Sequence, residues 1–406
     1  MGLLVTSRPQ ANALQKSVTA TVTIELSIVM PCLNEADTLA ICIDKAQRAL
    51  REHNIAGEII VADNGSSDGS QAIAERMGAR VIPVVARGYG NALMGGIAAA
   101  RGKYIIMGDA DDSYDFLEIP KFLRKLREGY DLVQGCRLPV GGGVVKKGAM
   151  PFLHRWLGNP LFSLMARWWF QASIHDVYCG LRGFTRELYT RLDQRCTGME
   201  FATEMIIKSA LYREKIAEVP ITLHPDGRKS HPPHLKTFRD GWRTLRFFLM
   251  YCPRWLFLLP GVLSVVLGIV GYAVALPGLS WRGVTFDAHT LLFSSLAILI
   301  GYQAIFFALF TKVFAITEGL HPADSRLDRF FAVATLEKGL LLATVAIVVG
   351  GGLLLGAIQQ WRQVSFGQLD YATTMRWVVP GVTLTALGVQ TLFSSFFVSI
   401  LGMRRR

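Results

Sequence analysis

The chain has 406 residues, enough for two domains, and 51% of them are hydrophobic. Its net charge of +12 comes with no motif for RNA or DNA, so an anionic membrane surface explains the charge better than nucleic acid does. The six cysteines form no C-x-x-C pair, suggest neither a disulfide framework nor a zinc cluster, and read as small buried hydrophobes.

In chain order, residues 1–23 carry scattered polar side chains and no apolar core, which predicts a flexible leader rather than a signal peptide. Apolar, β-prone runs at 25–30 (ended by Pro31), 58–62, 80–85, 104–108 and 131–134 alternate with helical patterns at 38–52, 70–77, 91–100 and 118–128. That alternation predicts an α/β domain over 24–233, a mostly parallel sheet between helices. The run 151–170 is rich in Leu, Phe and Trp, with Pro160 expected to break it into two short helices at a membrane surface. A juxtamembrane helix is predicted over 234–254. There Leu235, Phe238, Trp242, Leu245 and Leu249 share one face and Lys236, Arg239, Arg243 and Arg246 the other, the pattern of a helix lying among headgroups.

The rest, 255–406, is a predicted transmembrane domain. Its four apolar stretches, about 255–276, 290–316, 339–358 and 377–401, each reach membrane-spanning length. Arg239, Arg243, Arg246 and Arg254 precede the first stretch, Lys312, Arg326, Arg329 and Lys338 surround the loop after the second, and Arg404–Arg406 follow the fourth. The other two loops carry only Arg282, Arg362 and Arg376, so the α/β domain and both termini are expected in the cytosol. Gln303 and Gln390 are the obvious polar residues within the stretches. Such spans suit an anchor or a homo-oligomerisation platform, and argue against a transporter with a nucleotide-binding regulatory domain.

In parallel α/β sheets ligands bind beyond the carboxyl ends of the strands. Three polar loops meet there: "PCLNEAD" with Pro31, Asn34 and Glu35, "ADNGSSDG" with Asp63 and Asp68, and "GDADDSY" with Asp109, Asp111 and Asp112, Asp115 following. Asn34 and Glu35 also suit the opening of a helix, and Asp68 an N-cap. Asp63 is not needed for its turn, which Asn64-Gly65 already supplies. Asp109 and Asp111, two apart in an extended segment, put two carboxylates on one side, and these repel unless a cation lies between them. Hard oxygen ligands of this kind suit Mg²⁺ or Mn²⁺, which keep waters and bridge to substrate phosphates. Arg155 and Asn159 stand four apart and share a helix face. Arginine matches phosphate oxygens bidentately, which makes Arg155 a candidate for a lipid phosphate. Its alternative role is snorkelling among Phe152, Trp156, Trp168 and Trp169.

The ordered set "MPCLNEADTL", "VADNGSSDGS", "GYGNAL", "GDADDSYD", "GCR", "DVYCGLRGF" and "DGRKS", spread over 26–230, resembles the family 2 glycosyltransferases with their nucleotide-sugar-binding GT-A fold. More narrowly it resembles polyisoprenyl-phosphate glycosyltransferases of the dolichyl-phosphate mannose or glucose synthase type. The resemblance implies that Pro31, Asn34, Glu35 and Asp63 hold the base and ribose, and that Asp109 and Asp111 are the D-x-D pair for a divalent metal on the donor diphosphate. It places Arg137, Arg155 and Asn159 on the acceptor side and Arg228 near the phosphates. Glu204, with Glu200 as its substitute, and Asp176 are the remaining acidic candidates, for sugar hydroxyl binding or orientation. Where relatives often have Gln two residues past the pair, this chain has Ser113, so water is expected in place of a third protein ligand.

The implied reaction is inverting transfer of a hexose, from UDP-glucose first or GDP-mannose second, to undecaprenyl or dolichyl phosphate. It would run on the cytosolic face of a bacterial or archaeal plasma membrane. A processive polysaccharide synthase is the rival in the same family, but its Q-x-x-R-W motif is missing: Tyr251 stands three positions before Arg254.

Overall fold

The computed structural model describes residues 23–229 and 237–403. The predicted leader, except Thr23, lies outside the described residues, as do His234, Leu235, Lys236 and Arg404–Arg406. The α/β domain runs β1 (Leu26–Cys32), α1 (Leu39–Glu52), β2 (Gly57–Asp63), α2 (Ser70–Arg76), β3 (Arg80–Pro83), α3 (Tyr89–Ala99), β4 (Tyr104–Met107), α4 (Ile119–Arg127) and β5 (Leu132–Cys136). It continues with β6 (Val144–Val145), α5 (Asn159–Phe170), β7 (Arg182–Thr185), α6 (Arg186–Leu192), α7 (Glu200–Leu211), β8 (Ile216–Pro220) and β9 (Thr222–Leu223).

Seven strands form one sheet in the order β3-β2-β1-β4-β7-β5-β8. All pairings are parallel except those of β7, which runs antiparallel to β4 and β5. The central strands are buried on both faces. One apolar cluster joins β1 to α1 and α4, and a second joins the opposite face to α3, α5 and α7. All six cysteines are free thiols.

Pro31 does not end β1; the strand continues through it to Cys32, pairing Pro31 with Ala62. Pairing with β4 has already stopped at Val29, so the missing N–H of Pro31 costs no bond on that side. Nor does Pro160 break its segment. Helix runs from residue 152 to 170, widened into a π-helical turn over His154–Gly158 just before the proline. Proline cannot donate to the carbonyl four residues back and its ring crowds that carbonyl, and a wider turn relieves both. The same device recurs at Arg254–Leu258, ahead of Pro260.

Helix α8 (Thr237–Tyr251) leads into α9 (Leu259–Ala275), α10 (Ala288–Thr317), α11 (Ser325–Val333), α12 (Leu336–Gln363) and α13 (Tyr371–Gly402). Four helices, at Arg254–Ala275, Ala288–Thr317, Leu336–Gln363 and Tyr371–Gly402, are long and apolar enough to cross a membrane. They start one to six residues before the predicted stretches, because capping residues outside the apolar core extend them. Asp370, for example, accepts from the Thr373 amide at 2.7 Å. Helix α10 packs on α9 and α13, and α13 on α12. Backbones approach closely where glycines meet, as at Gly261 with Gly301 and Gly350 with Gly381, which is how helices associate in lipid.

Helix α8 differs from its predicted two-faced form. Phe238 and Trp242 are exposed, yet Thr244, Phe247 and Phe248 are buried on a further face. The Phe248 ring meets Phe162 and Phe170 edge-on, so α8 is clamped to the α/β domain on one side while apolar groups remain open on another.

Candidate active site

Strand β4 delivers the "GDADDSY" loop from the centre of the sheet, and the four carboxylates separate into two pairs. Asp109 turns inward. Its Oδ1 accepts a hydrogen bond from the Tyr89 hydroxyl at 2.9 Å. A Cβ on Gly180 would lie 2.6 Å from its Oδ2, so only glycine allows this approach. Burial, then the neighbouring charge of Asp111, pushes the Asp109 carboxyl up to about 6. Asp111 Oδ1 accepts from the Ser113 amide at 3.0 Å and its hydroxyl at 2.6 Å, and its Oδ2 lies 3.2 Å from Arg228 Nη1. Asp112, at φ +61°, points elsewhere and pairs with Lys45 at 2.7 Å, while Asp115 accepts from the Leu117 amide at the next turn.

The loops after β1 and β2 clasp each other. Asn34, at φ +60°, accepts from the Ser67 amide at 2.8 Å, and its own amide donates to Ser66 Oγ at 3.0 Å. Asp68 does not occupy the N-cap of α2, which is Gly69; it binds the Ala36 amide and both the amide and hydroxyl of Ser70. Asp63 is 2% exposed and accepts from the Gly65 and Ser66 amides and from Gln71 Nε2. It shapes its own loop from within. Asn64 is fixed between Val84, Ala86 and Gly88.

A strap of residues 222–229 crosses the D-x-D loop. His224 donates its amide to Ser113 O at 2.9 Å, and Gly227 to Asp111 O at 3.0 Å. A Cβ on Gly227 would come within 2.9 Å of Thr38, so the crossing depends on glycine. Arg228 follows, bidentate to Glu35 and also paired with Asp226 and Asp111. Burial opposes its charge, but the Glu35 hydrogen bonds and the surrounding carboxylates hold the guanidinium well above its ordinary value. Lys229 closes the strap by donating its amide to Asp37 at 3.0 Å.

On the other side, Arg137 is buried against Asp176, Nε to Oδ2 at 2.7 Å and Nη2 to Oδ1 at 2.8 Å; its Nη1 stands 3.5 Å from the Tyr114 hydroxyl. The pair is neutral as a unit, and both Asp176 oxygens are engaged. Arg155 lies in the π-turn, its guanidinium 5.4 Å from the Trp156 ring, and its buried Nε has no hydrogen-bond partner. Asn159 is buried one turn on, its amide against the Met150 sulfur at 3.3 Å.

Glu204 is not an open acid. It is 0% exposed, pairs with Lys208 at 2.9 Å, and accepts from the Arg195 and Cys196 amides and the Tyr251 hydroxyl. Its oxygens are committed, so it does not face a substrate. Glu200, at the start of α7, stays partly accessible.

Sequence reasoning missed three residues around Asp109. Tyr89 stands between two glycines in the quoted "GYGNAL", and Gly180 lies in "DVYCGLRGF", but only the fold brings either to the carboxylate. Arg182 is fully buried on β7 and donates to the Ala202 and Cys179 carbonyls. Desolvation pulls its pKa down despite the nearby Tyr89, Tyr114 and Asp109. Strand alternation gives no sign of a buried arginine. As for metal, among the described residues no three His, Cys, Asp or Glu side chains converge on one point. The protein offers two carboxylates, which fits an ion shared with a ligand's oxygens rather than a protein cage.

Residues 27–192 match the family described as glycosyl transferase family 2, and residues 309–402 match the glycosyltransferase family 2 C-terminal transmembrane region. The low-salt glycan biosynthesis hexosyltransferase Agl6 of Haloferax volcanii is 36% identical over 382 residues, 93% of this chain and 89% of that protein. The chain belongs to the family 2 glycosyltransferases. A dolichyl-phosphate hexose transferase of the same organism is a second relative of this glycosyltransferase, 33% identical over 198 residues, 48% of this chain and 82% of that one. Among solved structures, glucosyl-3-phosphoglycerate synthase from Mycobacterium tuberculosis, in complex with Mn²⁺, UDP and glucosyl-3-phosphoglycerate, is similar at 23% identity. That match covers 61% of this chain and 86% of that one, with a TM-score of 0.46. The family membership and the four long apolar helices together make this glycosyltransferase an integral membrane protein.

Proposed function

We propose that this enzyme transfers a hexose from a nucleotide sugar to a polyprenyl phosphate at the cytosolic membrane face. UDP-glucose is the first donor candidate and GDP-mannose the second. The observation that carries the acceptor is the apolar face of the 152–170 helix. Phe152, Trp156, Leu157, Leu161, Leu164 and Trp168 are exposed on it; Trp169 stacks on Trp255 at the start of the first span, 5.4 Å between ring centres, and Trp168 meets the same ring at a tilt, 4.4 Å away. Arg155 sits in this band. A phosphate on a lipid tail would reach it from the bilayer, as the name of the dolichyl-phosphate relative suggests for that protein.

Asp109 and Asp111 would hold Mg²⁺ or Mn²⁺, which when bound neutralises charge on a leaving diphosphate. Tyr89 and Ser113 orient the two carboxylates. A lipid phosphate oxygen would attack the anomeric carbon with inversion, releasing the nucleoside diphosphate. The monoester's second pKa is about 6, so it arrives largely anionic and needs positioning more than deprotonation. Arg155 and Asn159 would supply that positioning, with Arg137, braced by Asp176, as a further guanidinium for the acceptor. The Pro31, Asn34, Glu35 and Asp63 loops would frame the base and ribose.

Purified full-length protein with a short polyprenyl phosphate, a panel of nucleotide sugars and Mg²⁺ or Mn²⁺ tests this reading. One donor should give a glycolipid with release of its nucleoside diphosphate. Failure of every donor, in detergent and in bilayers, would overturn it.

A further inference from the structure

Glu204 has no place in the transfer step, yet it gathers an unusual set of partners for a buried carboxylate. Removing one partner from a buried charge costs several kcal/mol, so such a residue fixes whatever it holds. Lys208, its ion-pair partner, also donates to the Leu192 and Asp193 carbonyls at 2.9 and 2.8 Å. Together the two side chains pin residues 192–196 between α6 and α7.

From there the contacts run in two directions. Towards the site, the chain continues to Thr197, whose carbonyl accepts from the Asn91 amide at 3.2 Å in the first turn of α3. Gly88, at φ +133°, and Gly90 flank Tyr89; a Cβ on either would strike the Thr197 or Cys196 carbonyl, at 2.5 and 2.4 Å. The 195–198 segment therefore sets the height of this turn, and Tyr89 carries that setting to Asp109 through its hydroxyl. Towards the membrane, Tyr251 donates to Glu204 Oε1 at 3.2 Å from the last residue of α8. Its ring stacks on His321, 5.9 Å away, in the turn that ends the second span. Arg195 Nη2 donates to the Glu318 carbonyl at 3.1 Å and the Tyr212 hydroxyl to Gly319 O at 3.2 Å, fastening the same turn.

We infer that Glu204 is a positioning residue that ties the membrane domain to the metal-binding aspartate, through Tyr251 and the 318–321 turn on one side and the 195–198 segment and Tyr89 on the other. The inference rests on the reading of Asp109 and Asp111 as the metal pair.

The test is hydrogen exchange on the full-length protein in lipid nanodiscs, comparing the wild type with Tyr251→Phe. This variant keeps the ring over His321 and removes only the bond to Glu204, whereas Glu204→Gln would strand Lys208 and endanger folding. A lost hydrogen bond of ordinary strength should speed exchange about three- to tenfold, both at 195–197 and at the first-turn amides of α3. Acceleration confined to α7 and α8, with α3 unchanged, would mark Tyr251 as local packing and overturn the inference. This readout needs neither metal nor substrate, so it decides the tether independently of the transferase reading. A second arm follows Mn²⁺ affinity in the presence of UDP. Tyr89→Phe should weaken it several-fold, and adding Tyr251→Phe should weaken it no further, since the path from Tyr251 reaches Asp109 through the Tyr89 hydroxyl. Fully additive losses would count against a shared path.

Discussion

Asp111→Asn should lower metal-dependent turnover roughly 100-fold or more, beyond what is typical for loss of an outer-shell partner of a metal. Asp112→Asn, one position away, should leave turnover within about twofold and cost at most about 1 kcal/mol of stability, as for a partly exposed ion pair with Lys45. Equal losses in the two variants, measured as initial rates across a Mn²⁺ titration, would remove the distinction between inward and outward carboxylates. Arg155→Ala should raise the KM for the lipid acceptor about tenfold, the scale of one charged hydrogen bond, with the donor KM unchanged; an effect confined to the donor would contradict its assignment. That the Asp109 and Asp111 carboxylates would act on each other was legible in the sequence, because their spacing and charge are local facts. Tyr89 and Gly180 were not, since each meets Asp109 only after a long excursion of chain has closed. Glu204 was legible as acidic and misleading as to role, because burial is not written in the residue itself.

Among the elements, the strap of residues 222–229 crosses the D-x-D loop, and Arg228 is its clasp. Arg228 Nη1 lies against Asp111 Oδ2, an oxygen that a metal would claim, so on the proposed reading metal binding would draw the guanidinium from this carboxylate to the donor's phosphates. Arg228→Gln would remove the clasp and the proposed phosphate contact together. Donor KM should rise about tenfold or more, for loss of a charge-assisted bond, while metal binding without nucleotide should strengthen, because Asp111 loses its competitor. Weaker Mn²⁺ binding in that variant, measured calorimetrically, would show that Arg228 supports the metal site instead of competing for it. The strands and helices up to β5 were readable from periodicity, within a few residues. The strap was not, being short and irregular, and fixed by backbone bonds to a loop more than a hundred residues away. Pro160 illustrates a different limit: proline signals trouble for a helix, but whether the chain breaks or widens depends on what packs against it.

At the scale of the whole molecule, hydropathy identified the four spans but not how they meet the catalytic domain, which depends on contacts between distant segments. Those contacts include a titratable group outside the spans. Burial, then the charge of Lys312, pulls the His321 imidazole down from 6.5 to about 4 while it lies against Tyr251. Once undocked, the ring regains its ordinary value. Above pH 6.5 both states are neutral and docking is at full strength. As the pH falls from 6.5 towards 4, the undocked state takes up a proton that the docked state refuses, so docking weakens; below 4 both are charged and nothing further is lost. The Lys312–Asp324 ion pair beside it should persist through this window, because its hydrogen bonds with Lys312 hold the Asp324 carboxyl below its usual value. At pH 5 the docking equilibrium should have shifted roughly 30-fold towards the open state. Hydrogen exchange at 318–321 and 195–196, corrected for the intrinsic rate, should show it between pH 7.5 and 5. His321→Phe keeps the stack and cannot titrate, so its exchange should be flat over the same range. A pH response that survived in this variant would place the switch elsewhere.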